Sequence, residues 1–246
     1  MVPRATAAVD GRTIAILRCG DAIPSVVARR GDFPAWIAAP LWSIWDGPIV
    51  EIELRADETP PDFSRAAGLI VSGSSSSVTE RAPWMLRAEA LLRDAVAREQ
   101  PLLGICFGHQ ILAQALGGEV ETNPAGREIG TVDVDKLVDD PIFDGLPSSF
   151  AVNATHVDTV ALPPPGATTL ASTALEATAA FAIGNARAVQ FHPEIDGDVM
   201  RGYLDARREI LAREGFDVEP MIERARDVDA GPRILQNFVR RFVADR

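Results

Sequence analysis

Cysteine and histidine are scarce in this 246-residue chain, which contains two cysteines and three histidines. Cys19 and Cys106 are too few for a disulfide framework, and they lack the spacing of a zinc site. No apolar segment is long enough for a signal peptide or a membrane span, since residues 5–9 are followed at once by Asp10, Gly11 and Arg12. We therefore expect a cytoplasmic protein without a metal centre and without a membrane partner.

Positive charge is also limited, because acidic residues outnumber the 24 basic ones and Lys136 is the sole lysine. A net charge of −11 disfavours nucleic acid as a partner. With 47% hydrophobic and 24% charged residues, the composition is that of a globular protein. We expect one domain over residues 1–246, with a flexible N-terminal tail at 1–12 and a solvated helical C-terminal cap at 197–246.

The most informative segment is Gly104-Ile105-Cys106-Phe107-Gly108-His109-Gln110, which follows an apolar run. The pattern Gly-x-Cys-x-Gly is the thiol counterpart of the nucleophile elbow, in which a strand turns sharply into a helix. The following helix N-terminus favours a thiolate, and its free N–H groups can receive an oxyanion. A lone buried cysteine is usually inert, but this context predicts that Cys106 is a nucleophile.

A second segment, His192-Pro193-Glu194, follows the apolar run at residues 188–191. In an extended segment, residues two apart point to the same side. His192 can then face Cys106 while Glu194 orients the imidazole from behind. These three residues therefore predict a Cys-His-Glu triad.

Short apolar strands alternate with helical patterns along the chain. Strands are predicted at residues 13–17, 49–54, 68–71 and 101–105, and helices at 83–98 and 107–116. The inward stripe of the first helix is expected to contain Leu86, Ala90, Leu91 and Ala95. Between residues 127 and 188, alternating polarity predicts antiparallel strands on one side of a parallel sheet. This order favours an α/β fold with an open, doubly wound, mostly parallel sheet.

The elbow and the distant His-Pro-Glu together resemble the class I (triad) glutamine amidotransferase domain, and in particular its free-standing, GMP-synthase-like members. Segments 70–74, 126–130 and 155–160 also resemble that family. The resemblance implies a flavodoxin-like fold and cysteine-dependent hydrolysis of a small-molecule γ-glutamyl amide through a thioester. It implies no metal or organic cofactor.

The resemblance also implies roles for individual residues. The N–H groups of Gly73 and Phe107 would form the oxyanion hole, although Gly73 could serve only a turn. Gln110 would bind the substrate. For His156 and Asp158, substrate contact and a scaffolding role remain equally open.

The sequence leaves several functions open. No phosphate-binding loop is present, so nucleotide activation would require a separate synthase subunit. The chain could be a glutaminase subunit for such a partner, a self-contained γ-glutamyl peptidase or a non-catalytic regulatory module. Departures from the family pattern at residues 74–77, Val157 and Phe191 suggest an altered pocket and favour independent hydrolysis.

Overall fold

The computed structural model describes residues 1–244 and contains a sheet of nine strands within them. The strands of the chain are β1 Ile14–Arg18, β2 Ile49–Glu53, β3 Gly68–Val71, β4 Leu102–Ile105, β5 Glu119–Thr122, β6 Glu128–Lys136, β7 Ser149–His156, β8 Asp158–Leu162, β9 Thr168–Ser172, β10 Ala180–Ile183 and β11 Ala186–Val189. Strands β5 and β8 form a separate antiparallel pair.

The large sheet has the order β2-β1-β3-β4-β11-β10-β9-β6-β7. The strands from β2 to β11 in this order run parallel, whereas β10, β9, β6 and β7 extend the sheet in antiparallel fashion. Strands β3 and β4 are buried on both faces, which explains their uninterrupted apolar sequences. The predicted open sheet with antiparallel strands added on one side is confirmed.

Helices cover both faces of this sheet. They are α1 Pro24–Arg30, α2 Phe33–Ala38, α3 Pro83–Ala97, α4 Phe107–Ala115, α5 Gly197–Ala206, α6 Arg208–Arg213, α7 Val218–Arg224 and α8 Ala230–Phe238. One hydrophobic cluster contains Ile14 and Ile16 of β1 with α2, α5 and α8, and the other contains Ala15 and Leu17 with α3 and α4. Because alternate residues of a strand face opposite sides, the fold is doubly wound.

The predicted inward stripe of α3 is correct in part, because Ala95 is buried and Leu91 is half-buried. Leu86 and Ala90 are exposed, whereas Met85, Leu92 and the charged Glu89 are buried. The Glu89 carboxylate forms ion pairs with Arg81 and Arg93, which lets a charged residue occupy the inner face. An apolar pattern alone could not identify that face.

The first residues lie along the sheet edge beside β2. The N–H of Ala5 donates to Glu51 O at 2.9 Å, and the N–H of Glu51 donates to Pro3 O at 2.8 Å. The segment expected to be a flexible tail is therefore hydrogen-bonded to the sheet at this point.

The predicted C-terminal cap consists of helices separated by short non-helical stretches through residue 244, and its last two residues lie outside the described part. Among the helices of residues 1–244, none combines the length and apolar character that a membrane crossing requires.

Candidate active site

Cys106 lies at the sharp turn between β4 and α4. Its φ of 52° and ψ of −102° are unusual for a residue with a side chain, so this backbone is strained. A Cβ at Gly104 would lie 2.5 Å from Gly108 O, and a Cβ at Gly108 would lie 2.4 Å from Val71 O. Both glycines are therefore required by the close approach of α4 to the sheet, as the elbow pattern predicts.

His192 follows β11, the strand next to β4. Its N–H donates to Asn153 O at 2.9 Å, and the Phe33 ring stacks on the imidazole at a centroid distance of 5.9 Å. On one side, the Cys106 thiol lies close enough to the imidazole to raise its pKa. On the other side, Nδ1 donates to Glu194 Oε1 at 2.7 Å. The three residues of the predicted triad are thus brought together.

The local geometry of His-Pro-Glu differs from the expected extended segment. His192 forms an isolated bridge with Asn153, and Pro193 and Glu194 form a turn. The N–H of Ile195 donates back to His192 O at 3.3 Å. Glu194 therefore reaches the imidazole because the chain turns, whereas strand alternation was the reason expected from the sequence.

Opposing influences set the pKa of His192. Burial is the largest single influence and lowers this pKa, but Glu194 and Cys106 both favour the charged ring and raise it to about 10. A carboxylate can only accept a hydrogen bond. The hydrogen atom between His192 and Glu194 is therefore attached to Nδ1 of the imidazole. We therefore expect the ring to be an imidazolium beside the Cys106 sulfur at neutral pH.

We expect NMR titration to find His192 protonated at neutral pH and losing its proton only near pH 10. In Glu194→Gln the nearby negative charge is lost, so the pKa of His192 should fall. His109 is an internal control, because burial lowers its pKa to about 3 and keeps it neutral. Titration of His192 near its ordinary value of 6.5 would contradict this electrostatic account.

The predicted oxyanion donors adjoin the triad, Phe107 next to Cys106 and Gly73 next to His192. Phe107 is the first residue of α4, and a Cβ at Gly73 would lie 2.9 Å from Cε1 of His192. The Ser72 hydroxyl accepts from Cys19 N and donates to Gly73 O, each at 3.0 Å, which fixes the loop. Among residues 1–244, the N–H groups of Gly73 and Phe107 have no hydrogen-bond acceptor. Both donors are thus available to a ligand.

Gln110 is buried on α4, next to the turn between β7 and β8. Its Nε2 donates to Asp158 O and to Gln190 Oε1, each at 3.0 Å. This nitrogen therefore holds the turn in place, whereas Gln110 also lines the cavity that contains Cys106.

His156 and Asp158 lie on that turn, with side chains already bonded to the protein. The two ring nitrogens of His156 lie 3.0 Å from Asp158 O and from Glu128 Oε2. The Asp158 carboxylate accepts from the hydroxyls of Ser77 and Thr122. These side chains fix the shape of the turn, and both residues also line the Cys106 cavity.

Two cavities adjoin the site. The first has a volume of about 290 Å³ and is lined by Cys106, Gln110, the Ser74–Ser77 loop and the turn at residues 155–158. The second has a volume of about 160 Å³ and contains His192 and Phe33 in its wall. Ser74, Ser75, Thr155 and Arg207 line both cavities.

Arg207 was expected to be part of a solvated cap, and the structure corrects this prediction. It is only partly exposed, and its Nη1 donates to the hydroxyl of Thr155. Its guanidinium lies over the Tyr203 ring, 5.1 Å from the centroid. The contact with Thr155 spans 52 residues of sequence, so no local pattern could indicate it.

Cys19 differs from Cys106 in both position and chemistry. It is fully buried at the end of β1, and burial raises the pKa of its thiol. A buried thiol of this kind is unreactive. Cys19 therefore serves to pack the core.

Within residues 1–244, there is no group of three or more His, Cys, Asp or Glu side chains arranged to hold a metal ion. Of the four acidic residues Asp133, Asp135, Asp139 and Asp140, two pair with basic residues. Asp140 forms an ion pair with Arg187 at 2.9 Å, and Asp139 lies 3.6 Å from Lys136 Nζ.

Known proteins resemble this chain in both sequence and fold. It is 40% identical over 132 residues to a GMP synthase [glutamine-hydrolyzing] of Aeropyrum pernix, covering 53% of this chain and 25% of that protein. It is also 40% identical over 169 residues to the protein of the same name from Parafrankia sp., covering 65% and 28%. The chain thus spans about a quarter of the length of these curated relatives.

Solved structures show the same fold. A glutamine amidotransferase from Thermotoga maritima superposes with a TM-score of 0.76 at 22% identity, covering 95% of this chain and 99% of that one. A glutamine amidotransferase from Methylobacillus flagellatus gives 0.73 at 22% identity, covering 93% and 94%. The family model for glutamine amidotransferase class-I matches residues 47–205. The chain therefore belongs to the class I glutamine amidotransferase family.

Proposed function

We propose that this protein hydrolyses a γ-glutamyl amide through a γ-glutamyl thioester on Cys106. The observation that carries the proposal is the buried imidazole of His192, which donates to Glu194 at 2.7 Å and whose pKa is raised by the neighbouring Cys106. Membership of the amidotransferase family supports this chemistry, as do relatives named for glutamine hydrolysis.

In the first step, Cys106 attacks the side-chain carbonyl carbon of the γ-glutamyl group as a thiolate. The imidazolium form of His192 stabilises that thiolate. The carbonyl oxygen becomes an oxyanion and accepts hydrogen bonds from the N–H groups of Gly73 and Phe107. Each such donor is typically worth ~3 kcal/mol in the transition state.

In the next step, the carbon–nitrogen bond breaks and His192 donates its proton to the leaving amine. The γ-glutamyl group remains on the Cys106 sulfur as a thioester. His192 then accepts a proton from water, whose oxygen attacks the thioester carbonyl and releases glutamate and the thiolate. Glu194 keeps the imidazole oriented and stabilises its charged form throughout.

The 290 Å³ cavity is the proposed site of the γ-glutamyl group, because it contains both Cys106 and Gln110. The Gln110 amide oxygen and the backbone of residues 155–158 are the proposed contacts to the substrate. The side chains of His156 and Asp158 support that backbone through their bonds to Glu128 and Ser77.

A second candidate is a glutaminase subunit that delivers ammonia to a separate synthase. The match to one part of GMP synthases favours it, because this chain covers about a quarter of those proteins. We favour independent hydrolysis, since the serines at 74–77 and Val157 line the cavity and distinguish its wall from the family pattern.

Steady-state assays of glutamate release by the isolated protein distinguish these functions. We expect turnover of glutamine or of at least one γ-glutamyl peptide without any partner. The Cys106→Ala protein is the matched control for contaminating activity. Negligible rates on every substrate, together with strong activation of glutaminase activity by a co-purifying synthase, would establish the second candidate instead.

A further inference from the structure

The two cavities at the site face different atoms of the proposed reaction. Cys106 lines the 290 Å³ cavity, and His192 lines the 160 Å³ cavity. In the proposed mechanism, on which this inference rests, the thiolate attacks the carbonyl carbon and His192 protonates the leaving amine. The smaller cavity is therefore next to the position of the leaving group.

The His192 cavity is larger than an ammonia molecule requires. A cavity needs only about 10–15 Å³ of accessible volume to hold one water molecule, and ammonia is of similar size. The observed volume of about 160 Å³ has room for several additional heavy atoms. Its wall contains apolar surface from Ile23, Pro24, Phe33 and Tyr203. An amine with a substituent would fill this space better than ammonia.

Arg207 places a positive charge between the two cavities. Of its guanidinium nitrogens, Nη1 donates to Thr155, while Nε and Nη2 have no acceptor within residues 1–244. In that same part of the chain, no carboxylate lies within ion-pair distance of Arg207. The neighbouring Arg127 differs, since its Nε and Nη2 donate to the Glu214 carboxylate at 2.7 and 2.9 Å.

The acidic group in the wall of the smaller cavity already has partners. Asp21 forms its ion pairs with Arg18 and Arg55. Burial is the main reason that the pKa of Arg207 is lowered, so its desolvated charge is not fully compensated by the protein. An arginine with two free N–H directions is well suited to bind a carboxylate with two hydrogen bonds.

We propose that Arg207 binds a carboxylate carried by the leaving amine. The preferred substrates are then γ-glutamyl amino acids or γ-glutamyl peptides, in which the amine released is itself an amino acid or a peptide. Arg207 is a specificity-determining residue in this account, and His192 remains the proton donor.

A matched pair of substrates tests the assignment. γ-Glutamylglycine carries a carboxylate on the leaving amine, whereas γ-glutamylglycinamide carries a neutral amide at the same place. In Arg207→Gln we expect kcat/KM for γ-glutamylglycine to fall by about 30-fold, as for the loss of charge-assisted hydrogen bonds. For γ-glutamylglycinamide the change should stay below about threefold, and Arg207→Lys should recover part of the preference.

Two controls separate this role from a structural one. Arg213→Gln alters an exposed arginine of α6 outside both cavities and should change neither substrate. Thermal unfolding of Arg207→Gln establishes that the variant is folded. Equal losses on both substrates in a folded variant, or no loss on either, would overturn the assignment of Arg207. If the wild-type protein hydrolysed glutamine but neither of these compounds, only the assignment of Arg207 would fail. If it released glutamate from no γ-glutamyl substrate, the proposed function itself would fail.

Discussion

Replacing Cys106 with alanine is expected to abolish glutamate release, with a loss in kcat on the order of 10⁴-fold or more. The reason is that no other group can form the thioester, since the second thiol, Cys19, is fully buried at the end of β1. Circular dichroism should show an unchanged fold. The Cys106 sulfur makes only a long contact of 3.9 Å with Thr155 O, so its removal costs little stability.

Cys19→Ala is the matched control for this experiment. It removes the same sulfur atom from a buried site without altering the backbone N–H that donates to Ser72. We expect a small loss of stability and near wild-type turnover per folded molecule. Activity of Cys106→Ala within about tenfold of the wild type would exclude Cys106 as the nucleophile.

The second large effect is expected at His192. His192→Ala should remove nearly all turnover, because the thiolate loses its counter-charge and the leaving amine loses its proton donor. Glu194→Gln should retain measurable activity, since Glu194 acts through the imidazole. Both changes are measured as kcat and kcat/KM on the best substrate of the panel.

His156→Gln provides the comparison within the same residue type. His156 is buried between Glu128 and Asp158, so its replacement should mainly lower the free energy of unfolding. A mild effect of His192→Ala, combined with a loss of turnover in folded His156→Gln, would mean that His156 is the base.

The arrangement of the core strands could be predicted because it depends on local patterns. The apolar sequences of β3 and β4 identify buried parallel strands, and Gly104 and Gly108 mark the elbow between β4 and α4. Since parallel strands share their carboxyl ends, this is enough to bring Gly73, Cys106 and His192 to one edge.

Other features depend on contacts between distant residues, and for these the sequence carries no local signal. Glu89 occupies the inner face of α3 because Arg81 and Arg93 neutralise it, so the hydrophobic pattern misplaced part of the inward stripe. Arg207 belongs to a charged helical segment but turns inward onto Thr155 and Tyr203. The turn that places Glu194 behind His192 likewise depends on the bridge to Asn153.

The central claim is that Cys106 forms a covalent bond with the γ-glutamyl group. Mass spectrometry with peptide mapping tests it after treatment with a glutamine-derived electrophile. We predict one adduct, on Cys106. It should form more slowly when a γ-glutamyl compound that the protein can hydrolyse competes for the site. Modification of Cys19 in preference to Cys106, or a Cys106 thiol that stays unmodified in the folded protein, would contradict the account.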